Sequence, residues 1–207
     1  MTNIDHLVYA VPNLEEGITS IQKLFGVSPN YGGRHLTKGT HNALIGLGES
    51  CYLELIAIDH ENKQVTTNRW MGVDHIHQPT LCRWALATSS IQEDLKLLGK
   101  IKPERGQLEA GSRKKSDGSM LKWQLSLPLT SPAVDICPFL IDWSGSTHPS
   151  ESLTNSCTLI SLKATHPQAE RYLSLYQKLG IDIEIIKAND ISLIATFDTP
   201  NGVITLS

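Results

Sequence analysis

His6 stands in the middle of the apolar run Ile4-Asp5-His6-Leu7-Val8-Tyr9-Ala10-Val11, and Glu54 in the middle of Tyr52-Leu53-Glu54-Leu55-Ile56. An imidazole or a carboxylate in an otherwise apolar strand costs desolvation free energy unless a partner takes up its lone pairs and protons. The two residues therefore read as metal ligands, as a metal-free polar site, or as a buried couple hydrogen-bonded across adjacent strands. Their chemistry alone leaves the three open. His41 and Asn42 head another strand-like segment and are candidates to complete a coordination shell or to contact a substrate, with turn packing as the plainer role. His75 and His77 share an i, i+2 spacing that points both one way on an extended segment, but no acidic or cysteine partner lies near, so a surface or lid role fits better. His35 reads as loop structure, the Arg113-Lys114-Lys115 run as a solvated hairpin end, and Trp84 and Trp123 as core.

Positioning these side chains requires strands, and the hydrophobic pattern supplies them in a recurring order. After the first strand, Asn13 caps a helix whose apolar stripe is Leu14, Ile18, Ile21, Leu24 and Phe25, and Gly26 ends it. A turn-rich passage, Tyr31-Gly32-Gly33-Arg34-His35, leads to two strands at 40–47 and 51–58 joined by Gly48-Glu49-Ser50. Residues 59–80, polar but carrying Trp70, Met71 and Ile76, read as an ordered crossover loop that covers something. The pattern restarts with a strand at 81–88, a helix capped by Ser89 or Ser90, and strands near 106–112, 120–127 and 138–143, with Asp117-Gly118 as a hairpin turn. It restarts again after a Ser/Thr/Pro-rich link, with a strand at 157–165, a helix opened by Pro167, and strands at 181–186, 191–197 and 203–206. A period of about 75 residues, seen three times as pattern, predicts an α+β chain of repeated βαβββ modules.

Composition narrows the class. The chain has 207 residues, 40% of them hydrophobic, enough for a core without disulfides. A formal net charge of -3 disfavours a nucleic-acid partner. No apolar run approaches the roughly 18 residues that span a bilayer, and the N-terminus lacks the charged-then-apolar pattern of a signal peptide, so a cytoplasmic protein without a membrane partner is expected. Cys51, Cys82, Cys137 and Cys157 are widely separated and read as small buried hydrophobes. Dinucleotide fingerprints, phosphate-cradling loops, nucleophile elbows and His-Glu-x-x-His are all absent from the sequence.

The segments 4–11, 32–35, 39–44 and 52–57 resemble the glyoxalase-like branch of the vicinal oxygen chelate superfamily. So do Arg83-Trp84-Ala85-Leu86, Ser112-Arg113, Leu121-Lys122-Trp123 and 138–143. The resemblance covers about residues 3–149 and implies two paired βαβββ modules, at about 1–58 and 81–143, forming a curved mixed sheet around a small-molecule site. Residues 150–207 would then be a third βαβββ-like module that serves assembly, and its unpaired apolar face implies a homodimer. In the superfamily, first and last strands carry the ligands of a divalent metal, which here places His6 and Glu54 on Zn, Ni, Mn or Fe, with Glu54 also the catalytic residue. Arg83 aligns with His6 in the second module, where a guanidinium cannot coordinate a cation, and Asp142 lies near the counterpart of Glu54. Arg83 and Arg113 would bind a substrate anion beside His41 and Asn42. The implied activity is that of an isomerase, lyase or oxygenase acting on neighbouring oxygens, and the alternative is a metal-free protein that binds or sequesters a small molecule.

Overall fold

A computed structural model of the chain describes residues 3–48, 50–105, 107–114, 120–143 and 146–207. The Asp117-Gly118 turn lies outside them. The first module runs β1 (Ile4–Ala10), α1 (Leu14–Phe25), β2 (Asn30–His35), β3 (Thr40–Gly46), β4 (Tyr52–Ile58). The second runs β5 (Thr80–Ala87), α2 (Ile91–Ile101), β6 (Leu108–Lys114), β7 (Met120–Ser126), β8 (Phe139–Asp142). Together they build one eight-stranded sheet in the order β2-β3-β4-β1-β5-β8-β7-β6, a mixed, curved sheet of two paired βαβββ units. The turn-rich passage at 31–35 is a strand after all. It forms the sheet edge β2, where Gly32 is the extra residue of a bulge between Tyr31 and Gly33, so its glycines mark strand irregularity and not a loop.

The join between the modules is the antiparallel pair β1–β5, and it is bulged twice. Ile4 and His6 face Leu86 and Ala85, leaving Asp5 as the extra residue. Val8 and Tyr9 face Arg83 and Leu81, leaving Cys82 as the extra residue. The two bulges are related by the approximate two-fold axis that relates the modules. Such insertions re-aim side chains that strict alternation would send to the other face.

The third module has the expected element order, β9 (Thr158–His166), α3 (Ala169–Lys178), β10 (Glu184–Lys187), β11 (Ser192–Thr199), β12 (Gly202–Leu206). Its wiring differs. The sheet order is β10-β9-β11-β12, with the first strand inside the sheet, whereas β1 of the first module pairs with the last strand β4. Periodicity along a chain reports which residues form strands and not which strands pair, so this difference had no signature. The module lies against the convex side of the large sheet. Phe197 meets Phe25 of α1 at 5.2 Å between ring centroids, Tyr176 meets Trp84 of β5 edge-on at 6.0 Å, and the Tyr176 hydroxyl donates to the Ile136 carbonyl at 2.6 Å. The side-chain amide of Asn201, in the β11–β12 turn, donates to the carbonyls of Lys23 and Leu24 and so caps the C-terminus of α1. Leu162, Ala164, Leu193, Ala195 and Phe197 are all buried in the main core. Of the apolar face from which a homodimer was expected, Leu193 is covered within the chain, Ile183, Ile185 and Ile194 are half-buried, and Val203 stays exposed, so the module packs on its own chain with part of that face open. Among the described residues no helix is long and apolar enough to cross a membrane.

Because Phe197 is fully buried between α1 and its own sheet, Phe197→Ala should cost about 3–5 kcal/mol and lower the midpoint of a single transition shared by all three modules. Chemical denaturation followed by both tryptophan fluorescence and circular dichroism checks this. A separate early transition for the third module would contradict it.

Candidate functional site

The concave face of the large sheet is where the polar residues gather. Register puts His6, Val8, Tyr52, Glu54 and Asn42 on it, and the apolar remainder of that face forms its own cluster with Ile56, Ala85, Leu125, Phe139 and Ile141. His6 and Glu54 are 3% and 5% exposed and line one cleft. His6 Nε2 lies 3.8 Å from Glu54 Oε2, and the Asn42 side-chain amide donates to Glu54 Oε1 at 2.6 Å. The Tyr52 ring stacks on the imidazole at 4.6 Å, and Phe139 meets it edge-on at 5.3 Å.

Behind the imidazole lies Asp5, which no sequence pattern marked. The β1 bulge brings its carboxylate to His6 Nδ1 at 2.6 Å, and its other oxygen accepts from Trp143 Nε1 at 2.7 Å and lies 3.2 Å from His148 Nε2. Since the Ser150 backbone N–H donates to His148 Nδ1, the proton of His148 belongs on Nε2, pointing at Asp5. Burial pushes the Asp5 carboxyl up, but the hydrogen bonds and charges of His148 and His6 more than offset it, so its pKa lies below the ordinary carboxylate value. A charged acceptor on the Nδ1 side fixes the proton of a neutral His6 there and leaves Nε2 as a lone pair facing Glu54 and the cleft. Asp5, Trp143 and His148 come from the first strand, the end of β8 and the link beyond it.

The remaining walls mix tryptophan rings with aliphatic side chains. Trp70 and Met71 come from the crossover loop, Trp123 and Leu125 from β7, Ile141 and Trp143 from the β8 region. Trp84 is core, whereas Trp123 is a cleft wall, and it can lie over β6 because position 111 is glycine: a Cβ there would sit 2.2 Å from the indole. The crossover loop is held by Arg83. This side chain is fully buried and does not line the cleft. Its guanidinium donates to the carbonyls of Cys82, Leu129, Pro132 and Ala133, at 2.6 to 3.3 Å, and lies against Gly72. Gly72 has φ +74, and a Cβ there would meet Pro132 O at 2.7 Å, so the loop can approach this closely only as glycine. Arg83 is thus spent on backbone carbonyls in place of a substrate anion.

His41 neighbours Asn42 on β3, and alternation sends it to the opposite face, beside Asp59 and α1. Burial lowers its pKa. Arg113 lies on β6 opposite Leu121, and its side chain is outside the described residues. His35 lies at the cleft margin, bonded to Thr40 at 3.0 Å.

The same registers test the four-ligand metal centre implied by the superfamily. His6 pairs with Ala85 and Val8 with Arg83, which makes Arg83 the two-fold mate of His6. Val8 pairs with Glu54 and Ala85 with Phe139, which makes Phe139 the mate of Glu54. Asp142 falls three residues further on, beside Gln124 and at the margin of a separate groove. Two of the four positions therefore carry an arginine and a phenylalanine, neither of which donates a lone pair to a cation. Among the described residues no group of three or more His, Cys, Asp or Glu converges. The side chains present do not fit the four-ligand centre.

Replacing Asp5 by Asn keeps its shape and removes its charge, so one amide N–H must face a donor. Asp5→Asn is expected to cost about 1–3 kcal/mol at neutral pH. A carboxyl with a depressed folded pKa contributes stability above the unfolded value, about 3.9, that is lost as pH falls through the folded value. Thermal melts between about pH 5 and pH 2.5 should show an acid loss in the parent protein that the variant lacks. Parallel melting curves would contradict the assignment.

The family model of the glyoxalase-like domain matches residues 4–180. A comparison with curated proteins gives no match. Among solved structures, a hypothetical protein from Staphylococcus aureus is similar over 99% of this chain and 84% of its own, at 19% identity and a TM-score of 0.62, which concerns the fold alone. A methylmalonyl-CoA epimerase in complex with methylmalonyl-CoA and NH4+ covers 72% of this chain and 99% of its own at 16% identity and TM-score 0.43. The epimerase from Mycobacterium tuberculosis covers 68% and 87% at 16% identity and TM-score 0.41. These scores carry nothing about chemistry. The family match runs through both halves of the large sheet and into the third module, and the chain belongs to the glyoxalase-like domain family of the vicinal oxygen chelate superfamily.

Proposed function

We propose that the protein is a small-molecule enzyme of the isomerase or lyase kind whose cleft moves a proton between neighbouring atoms of a flat, largely apolar substrate, with His6 and Glu54 as the acid–base pair. The observation that carries this reading is the Asp5–His6–Glu54 alignment. Asp5 holds the Nδ1 proton, and Nε2 and a Glu54 oxygen face one point from 3.8 Å apart. A substrate hydroxyl, or a C–H next to a carbonyl, brought to that point meets two proton acceptors. His6 Nε2 takes the proton, the imidazolium so formed lies between the Asp5 and Glu54 carboxylates, and the proton returns to the adjacent atom from Nε2 or by way of Glu54. Asn42, bonded to Glu54 Oε1, keeps the carboxylate turned to the cleft. Tyr52, Trp70, Trp123, Phe139 and Trp143 exclude water and favour a planar substrate.

The oxygenase branch of the sequence expectation needs a redox metal, and facial sites of that type use three protein donors where this cleft converges two. A proton-transfer reaction asks nothing of the second module beyond walls, which is what Trp123, Leu125 and Phe139 supply.

Incubation of aromatic α-hydroxy ketones with the protein in deuterated water tests the reading. Deuterium should appear at the carbon beside the carbonyl, the rate should be unchanged by EDTA, and His6→Gln and Glu54→Gln should each lose about 100-fold or more. Glu54→Gln retains the acceptor for Asn42, so its stability should stay within about 1–2 kcal/mol of the parent. Saturable binding without exchange would leave a binding protein in place of an enzyme, and loss of exchange on chelation would restore a metal.

A further inference from the structure

Beyond the inner cleft, Trp70 also lines a wider groove that opens between the β2–β3 turn and β6. Across it Lys38, in that turn, meets Glu109 on the far edge strand, with Nζ at 2.6 and 2.7 Å from the two carboxylate oxygens. The same ammonium lies 5.6 Å from the centroid of the Trp70 ring. The turn is rigidly built: the backbone N–H groups of Lys38 and Gly39 both donate to the His35 carbonyl, and Thr40 accepts from Trp70 Nε1. Arg34, a second cation of the groove among the described residues, is committed to Asp59 at 2.6 Å and Glu61 at 3.0 Å.

We infer that Lys38 is the anchor for a carboxylate on the substrate, and that Glu109 occupies this place in the free protein. The inference rests on the proposed small-molecule site and names its substrate class: a flat aromatic acid whose ring enters the Trp70 and Trp123 walls and whose carboxylate ends at the mouth. A carboxylate already sits bidentate on the ammonium, so the geometry suits that group. Both partners keep solvent contact, with side chains 22% and 38% exposed, and such a pair contributes little stability and exchanges readily. The indole face beneath Nζ helps hold the ammonium at this place.

Calorimetric titration with indole-3-acetate and indole-3-acetamide, which differ in charge and little in shape, tests this without turnover. The acid should bind about tenfold or more tighter than the amide. Lys38→Met should bring the two affinities together, and Glu109→Gln, which removes the competing carboxylate, should tighten the acid severalfold while leaving the amide unchanged. Equal binding of the two probes, no saturable binding of either, or an acid preference that survives Lys38→Met would overturn the inference. Because no proton transfer is read, a failed deuterium-exchange experiment beside a Lys38-dependent preference would sink the catalytic reading and leave this one standing.

Discussion

A buried carboxylate with three hydrogen-bond donors around it is the constraint on which the site depends. Asp5 is inaccessible to solvent, and a lone carboxylate in such a place would be costly. The β1 bulge, the indole of Trp143 and the imidazoles of His6 and His148 together make it tolerable. Each donor comes from a different part of the chain, so the charge fastens the first strand, the end of the second module and the connecting segment at one point. The consequence for chemistry is local: the imidazole is held in one orientation, and its second nitrogen is left facing Glu54.

The two modules share a backbone plan and divide the work. At three two-fold-related positions the first module has Asp5, His6 and Glu54, and the second has Cys82, Arg83 and Phe139. Arg83, which would repel a metal ion, organises carbonyls of the 129–133 segment and seats the loop carrying Trp70 and Met71. Phe139 replaces a ligand by a ring against His6. The third module covers the opposite, convex side, where Trp84, Phe25 and Ile136 would otherwise face water.

Much of the scaffold was legible because apolar alternation and helix caps are local signals. The α+β class, the paired modules and the curved sheet follow from them together with the family resemblance. His6 and Glu54 stood out because a polar residue amid apolar strand neighbours is conspicuous. Where one residue decides a face, the reading was less sharp: Asn42 enters the cleft and its neighbour His41 leaves it. Asp5 was hidden by the same rule, since alternation sends it away from His6 and only a bulge brings it back. His148 and Trp143 reach the site from more than 130 residues along the chain, a distance over which one sequence carries no pairing signal. Arg83, expected to bind a substrate anion, has backbone carbonyls as partners instead, and these have no residue-type signature.

Neutron diffraction from crystals grown at neutral pH locates the protons at this site most directly. Asp5 is expected to be ionised, with a deuterium on His6 Nδ1 directed at it and a second deuterium on His148 Nε2. A proton on Asp5, or a neutral His6 carrying its proton on Nε2 with Nδ1 bare, would contradict the account.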